Sequence, residues 1–191
     1  MGSSNETKQK LINVTRHMVN TNGIDSVSMR DLGKETKLSR SAVYRHFKNK
    51  DDLLAAIVTE NFETLKSNFY ELIGEISDPR KLVFAIFYNF YDYGIRNQEH
   101  YQLMFHKPWN KKQHPNLCNS AAEVYGIMEK CVGKAQEQKC TIRMSRKQLT
   151  AMVSAFIVGL IELSYGGHLD SEKGFDDPTG LINSFLDIIL V

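Results

Sequence analysis

The residues best equipped for chemistry lie between positions 38 and 54, in the stretch LSRSAVYRHFKNKDDLL. Four basic side chains, Arg40, Arg45, Lys48 and Lys50, stand here among Ser39, Ser41, Tyr44 and His46. All of them can donate hydrogen bonds, and the Lys and Arg heads add positive charge. Such a set suits the acceptor-rich, anionic surface of a nucleic acid. Charge along the chain agrees. Residues 1–54 carry 10 Lys/Arg against 6 Asp/Glu, whereas residues 55–191 carry 14 against 16. The basic character therefore sits in the first quarter of a chain whose net charge is only +2.

Other chemistries find little support. No GxSxG, P-loop, GxGxxG or paired ExxH motif occurs, so no enzyme reading has residues to build on, and no cofactor is expected. His114 and Cys118 are spaced i, i+4, but a third metal ligand at a convincing spacing is missing. Cys118, Cys131 and Cys140 are odd in number and lack CxxC spacing, which suits reduced thiols in a cytoplasm. As isolated cysteines they read as buried hydrophobes, with oxidant sensing as the alternative. The opening MGSSNETKQK has no apolar core and is not expected to be a secretory signal. No uninterrupted run of 18 apolar residues suggests a membrane span. The expected location is the cytoplasm.

Stepping outward, helical spacing must position these donors. Ser28 followed by Asp31 predicts a capped helix over about Met29–Thr36, and Ser39 can cap another over Arg40–Phe47. Two short helices joined by a tight turn have the length of a helix-turn-helix. Val43 and Phe47 can face Leu32 and Leu11 in a small core, while Ser41, Tyr44, Arg45 and Lys48 form a donor-rich face. That face either docks in a DNA groove or is an ordinary solvated helix surface.

Around this pair the chain reads as helical almost throughout. A first helix spans about Thr7–Asn22, with Leu11, Ile12, Thr15, Met18 and Val19 at helical spacing. A fourth starts after Asn49, with Asp51 and Asp52 in its first turn, and runs to about Ile76. SDP at 77–79 opens a fifth, to about Arg96; a sixth covers Glu99–His106, and a polar loop, KPWNKKQHPN, follows. The seventh reaches about Lys139, the eighth covers Ser145–Gly166 and the ninth Thr179–Leu190. The expectation is an all-α protein of about nine helices, with a helix-turn-helix head over 1–54 and a larger body over 55–191.

The wording GIDSVSMRDLGKETKLSRSAVYRHFKNKDDLL closely resembles the N-terminal signature of the tetracycline-repressor (TetR) family of transcription regulators, over roughly residues 8–54. The resemblance implies a ligand-responsive, sequence-specific DNA-binding regulator, more commonly a repressor. By the same resemblance Ser28 and Arg30 approach backbone phosphates, and Ser39, Arg40 and Ser41 meet base edges or adjacent phosphates. Tyr44 and His46 hold phosphates beside the recognition helix, and Lys50 reaches one from the fourth helix. His46 has a second reading as a core-edge histidine. Two positions depart from the family pattern. Lys37 stands where the turn usually holds glycine, and Gly33 replaces the usual alanine.

In this family the C-terminal part binds a small molecule and forms the dimer. Here it is rich in aromatic residues and methionine, which read individually as core and together as a pocket lining. Tyr88, Tyr91, His106, Trp109, Tyr125, Met128, Phe156 and Glu162 are the candidate ligand-binding residues, and the effector they suit is apolar or aromatic. YQLMF at 101–105 with Gly159 resembles a subgroup carrying a Trp-His-Gly signature, although Val158 stands where that subgroup has His. Apolar positions on the last two helices, ending in DIILV, imply a symmetric homodimer and hence an approximately palindromic operator. A nucleoid or adaptor protein that uses the helix-turn-helix only for protein contacts is the competing reading. It differs in predicting no salt-dependent DNA binding and no ligand response.

Overall fold

The computed structural model describes residues 4–190. Among them are nine α-helices and no strand: α1 Ser4–Asn22, α2 Met29–Thr36, α3 Arg40–His46, α4 Lys50–Glu75, α5 Pro79–Arg96, α6 Gln98–Phe105, α7 Pro115–Glu137, α8 Arg146–Tyr165 and α9 Pro178–Ile189. Single 3₁₀ turns at Ile24–Ser26 and Ser171–Lys173 were not anticipated from helical spacing. Val191, the end of the DIILV run, lies outside the described residues. The chain divides into two compact units. One comprises Met1–Phe62 with Glu99–Ser120, the other Glu63–Gln98 with Ala121–Val191.

In the first unit the core forms around Leu11, Leu32, Val43, Leu53 and Ile57, all fully buried, with Phe47 nearly so. Ser28 caps α2 by accepting the Asp31 N–H at 3.1 Å while its hydroxyl donates to the Asp31 carboxylate at 2.5 Å. That contact, helped by Lys34, holds the Asp31 carboxyl below its ordinary pKa. Ser39 caps α3 through the Ala42 N–H at 3.2 Å. The turn between the two closes with Leu38 N–H on the Gly33 carbonyl at 2.9 Å and Lys37 N–H on the Lys34 carbonyl at 3.0 Å.

This closure bears on both departures from the family pattern. Lys37 occupies the left-handed region at φ 56°, where glycine is usually favoured. A side chain on residue 33 would bring its Cβ to 3.2 Å from the Leu38 carbonyl oxygen, so glycine there lets the turn close tightly.

Polar ties fasten the same unit. Arg16 on α1 donates to Asn61 at 2.7 Å and to Glu60 at 2.9 Å on α4, and Asn61 meets His100 Nδ1 on α6 at 3.2 Å. His100 is 4% exposed, and burial, reinforced by the Arg16 charge, pushes its pKa down from 6.5 to about 4.

In the second unit Asp78 and Asp177 cap α5 and α9, each followed by a proline at the first helical position. α5 buries Leu82, Val83, Ile86, Phe87 and Phe90 on one face. α5 and α8 pack closely at Gly94, where a Cβ would lie 2.7 Å from Ile161 Cδ1, and Tyr165 donates to the Gly94 carbonyl at 2.5 Å. α8 buries Leu149, Val153, Ile157, Leu160 and Ile161, and α9 buries Ile182, Leu186 and Ile189. By length and composition alone α8 is long and apolar enough to cross a membrane, as the core helix of a globular protein can also be. Thr150, Ser154 and Glu162 interrupt its apolar residues.

Candidate DNA interface and ligand-lining residues

α3 is amphipathic. Val43 faces inward, fully buried, while Arg40, Ser41, Tyr44 and Arg45 are exposed. The helix ends at His46, so Lys48 lies in the bend before α4 and does not continue the helical face that its spacing predicts. The Arg40 guanidinium lies over the Tyr44 ring, 5.5 Å from its centroid, which limits the freedom of both side chains. Ser39 and Ser41 share a hydrogen bond of 3.0 Å. At the start of α2, Arg30 is exposed and Ser28 half-buried. Five of the eight candidate DNA contacts, Arg30, Ser39, Arg40, Ser41 and Tyr44, are thus exposed at the starts of two capped helices or along α3.

The other three have internal work, Ser28 as the cap of α2. The Lys50 ammonium donates to the Ile24 carbonyl at 2.9 Å, joining α4 to the 3₁₀ turn. His46 is half-buried and lines a groove of about 240 Å³ with Lys8, Phe47, Asp52, Thr59 and His114.

The candidate ligand-lining residues are divided between the two units. Tyr88 and Tyr91 are neighbours on α5, with ring centroids 6.2 Å apart, and Phe84 stacks on Tyr88 at 5.6 Å. Tyr91 is buried, which raises its phenol pKa. Met128 is buried on α7 while Tyr125 is exposed. Phe156 on α8 stacks on Phe185 of α9 at 4.2 Å, and Glu162 is half-buried. His106 and Trp109 belong to the first unit instead. There the Trp109 indole donates to the Leu103 carbonyl at 3.0 Å and meets the His114 ring edge-on at 5.3 Å. No group of three or more His, Cys, Asp or Glu side chains among the described residues is arranged to hold a metal. Burial raises the Cys131 thiol pKa.

One group of residues escaped the sequence reading. The loop after α6, taken as merely polar, is fastened to the first turn of α4. Lys107 pairs with Asp51 at 2.5 Å, and His114 Nδ1 lies 3.9 Å from Asp52. The available signal was charge, because residues 100–122 contain three lysines and no acid.

Residues 11–57, which hold the whole donor-bearing helix pair, match the family of bacterial regulatory proteins described as the tetR family. The N-terminal quarter of this chain is thus similar to the TetR family. Along 97% of its length it is 24% identical to the HTH-type nicotine-responsive transcriptional repressor HdnoR of Paenarthrobacter nicotinovorans, covering 96% of that protein. Its fold is shared with a TetR/AcrR-family transcriptional regulator from Thermobifida fusca (TM-score 0.76, 17% identity, 95% of this chain and 96% of the other). It is shared equally with a Saccharomonospora viridis structure in complex with choline (TM-score 0.78, 16% identity, 98% of this chain and 99% of the other). The all-α fold and the N-terminal match are therefore those of TetR-type transcriptional regulators.

Proposed function

We propose that the protein is a repressor that binds an approximately palindromic operator as a homodimer and leaves it when a small apolar or aromatic molecule binds. The carrying observation is the exposed row Ser39, Arg40, Ser41 and Tyr44 on capped helices whose inner faces, Leu32 and Val43, are fully buried. Arg40 and Ser41 read base edges; Ser28, Arg30, Tyr44, His46 and Lys50 hold phosphates. DNA binding is assigned to residues 1–54, ligand binding and dimerisation to 55–191. A regulator of chromosomal genes works in the cytoplasm.

The dimer reading rests on apolar surface. Met152, Phe156 and Leu163 on α8, with Leu181, Phe185 and Ile188 on α9, are exposed or half-buried at helical spacing. Ile188 is 71% exposed, and only 33% of the apolar window of α8 is buried within the chain. A second copy applied face to face would cover this stripe, and two-fold symmetry then supplies two recognition helices.

For the effector, Tyr88, Tyr91, Tyr125, Met128, Phe156 and Glu162 offer aromatic faces and one carboxylate. Nicotine, named for HdnoR, carries a basic amine, and choline, bound in the Saccharomonospora viridis structure, is a quaternary ammonium ion; aromatic faces can hold such cations. α4 runs for 26 residues from the head-side Lys50 into the second unit, and serves as the lever by which a ligand alters head spacing. A preference of about 1–3 kcal/mol for the non-binding state lowers DNA affinity some 5–150-fold.

Gel shifts at two salt concentrations test the DNA half of this reading. Arg40→Ala should relax sequence preference at one position of each half-site, and Lys50→Ala should weaken binding to all sequences alike. Wild-type behaviour in both variants would show that the docking face lies elsewhere. A thermal-shift screen followed by operator affinity for each hit tests the lever. Tight binders that leave operator affinity unchanged would contradict it.

A further inference from the structure

We infer that the loop between α6 and α7 is a second DNA-contacting element, in which Lys111 and Lys112 bind backbone phosphates alongside the helix-turn-helix. This rests on the DNA-binding reading and extends it to residues far along the chain from the family signature. The first support is placement. The loop belongs to the same compact unit as the helix-turn-helix. One end is fastened to the first turn of α4 by Lys107 on Asp51 at 2.5 Å, and the other end brings His114 beside Asp52 at 3.9 Å. Asp52 also accepts the Lys48 N–H at 3.2 Å, so the fastening reaches the bend that follows α3. Lys111 is four residues from the Lys107 anchor, which confines its backbone to within roughly 13 Å of that point.

The second support is rigidity. Trp109 is held by the Leu103 carbonyl, the His114 ring and the Lys107 ammonium 5.1 Å from its centroid. Asn110 turns the chain, its side chain accepting the Lys112 N–H at 2.8 Å and its carbonyl the His114 N–H at 2.9 Å. A braced turn presents its side chains with less entropy to lose on binding.

The third is charge. Lys111 and Lys112 are exposed and have no ion pair among the described residues. Lys107 screens Asp51, whose carboxylate would otherwise repel a phosphate approaching Lys50. With the loop included, the first unit carries 13 Lys/Arg against 8 Asp/Glu, a balance of +5, while the second carries 11 against 14. Phosphate contacts need this charge and no sequence reading.

The test measures affinity for a mixed-sequence DNA duplex across a salt series. Each neutralised phosphate contributes about 0.9 to the slope of log affinity against log salt, so Lys111→Ala with Lys112→Ala should flatten it by about 1.8. Removing equal charge from exposed sites in the second unit, with Lys130→Ala and Lys147→Ala, should leave the slope unchanged. Lys111→Gln with Lys112→Gln repeats the test should the first variant fail to fold. An unchanged slope in the folded loop variant overturns the inference, as does an equal loss in both charge-removal variants. If the wild-type chain binds no duplex even at low salt, the inference and the DNA-binding reading fall together.

Discussion

The two compact units answer different physical problems. The first is basic, and its helices are tied by polar contacts: Arg16 to Asn61 and Glu60, Lys50 to Ile24, Lys107 to Asp51. Its exposed large apolar side chains are only Tyr44 and Phe105 among the described residues. The second is acidic and built on long apolar helices, and it leaves Tyr70, Tyr125, Met152 and Ile188 exposed. A surface of donors awaits a polar, charged partner, whereas a surface of apolar side chains awaits another protein face or a small molecule. The contrast matches a head that meets DNA and a body that meets a second copy and an effector.

The largest expected effect comes from breaking the body's apolar stripe. Phe156→Asp places a carboxylate where Phe156 and Phe185 stack, and should convert the dimer to monomer in sedimentation at micromolar concentration. Losing bivalent docking should then weaken operator binding by roughly 10²-fold or more. A wild-type chain that already sediments as a monomer would contradict the dimer outright.

Acid should single out the first unit. His100 is neutral when folded, with a pKa of about 4 against an ordinary 6.5. Between those values the unfolded chain binds the extra proton, so stability rises with pH through this window and is lost as pH falls through it. The shift corresponds to about 3 kcal/mol. Chemical denaturation from pH 7 to 4 should show this loss in the wild type, and His100→Gln should remove most of it. Identical pH dependence in both proteins would mean that His100 is not the titrating group.

Gly94→Ala should destabilise the body by about 1–3 kcal/mol, because Ile161 leaves no room for a methyl group. Thermal unfolding would measure this, with DNA affinity per folded molecule unchanged. The smallest effect belongs to the head's turn. Lys37→Gly should relieve the left-handed strain at φ 56° and stabilise by about 0.5 kcal/mol after glycine's own entropy cost.

The head was legible in the sequence because its devices are local. Ser28, Ser39 and Asn49 mark helix starts within three residues of the groups they cap. The fold class and the helix starts at Met29, Arg40 and Lys50 follow from such signals. Long-range placement did not show. Nothing local to Lys107 or His114 says that they close on Asp51 and Asp52, more than fifty residues away in the chain. Aromatic side chains were equally ambiguous, because composition cannot separate Trp109, which braces a loop, from Tyr88, which packs beside Tyr91. The 3₁₀ turns are too short to show a period.

The central claim is that the exposed row on α3 reads DNA sequence from a symmetric pair of heads. Selection of duplexes from a random pool by the purified protein, followed by sequencing, tests it most directly. The account predicts enrichment of one motif made of two inverted half-sites, lost or degraded at one position of each half-site with Arg40→Ala. Recovery of unenriched sequence by a protein that binds duplex DNA would contradict it, as would a single asymmetric site indifferent to Arg40.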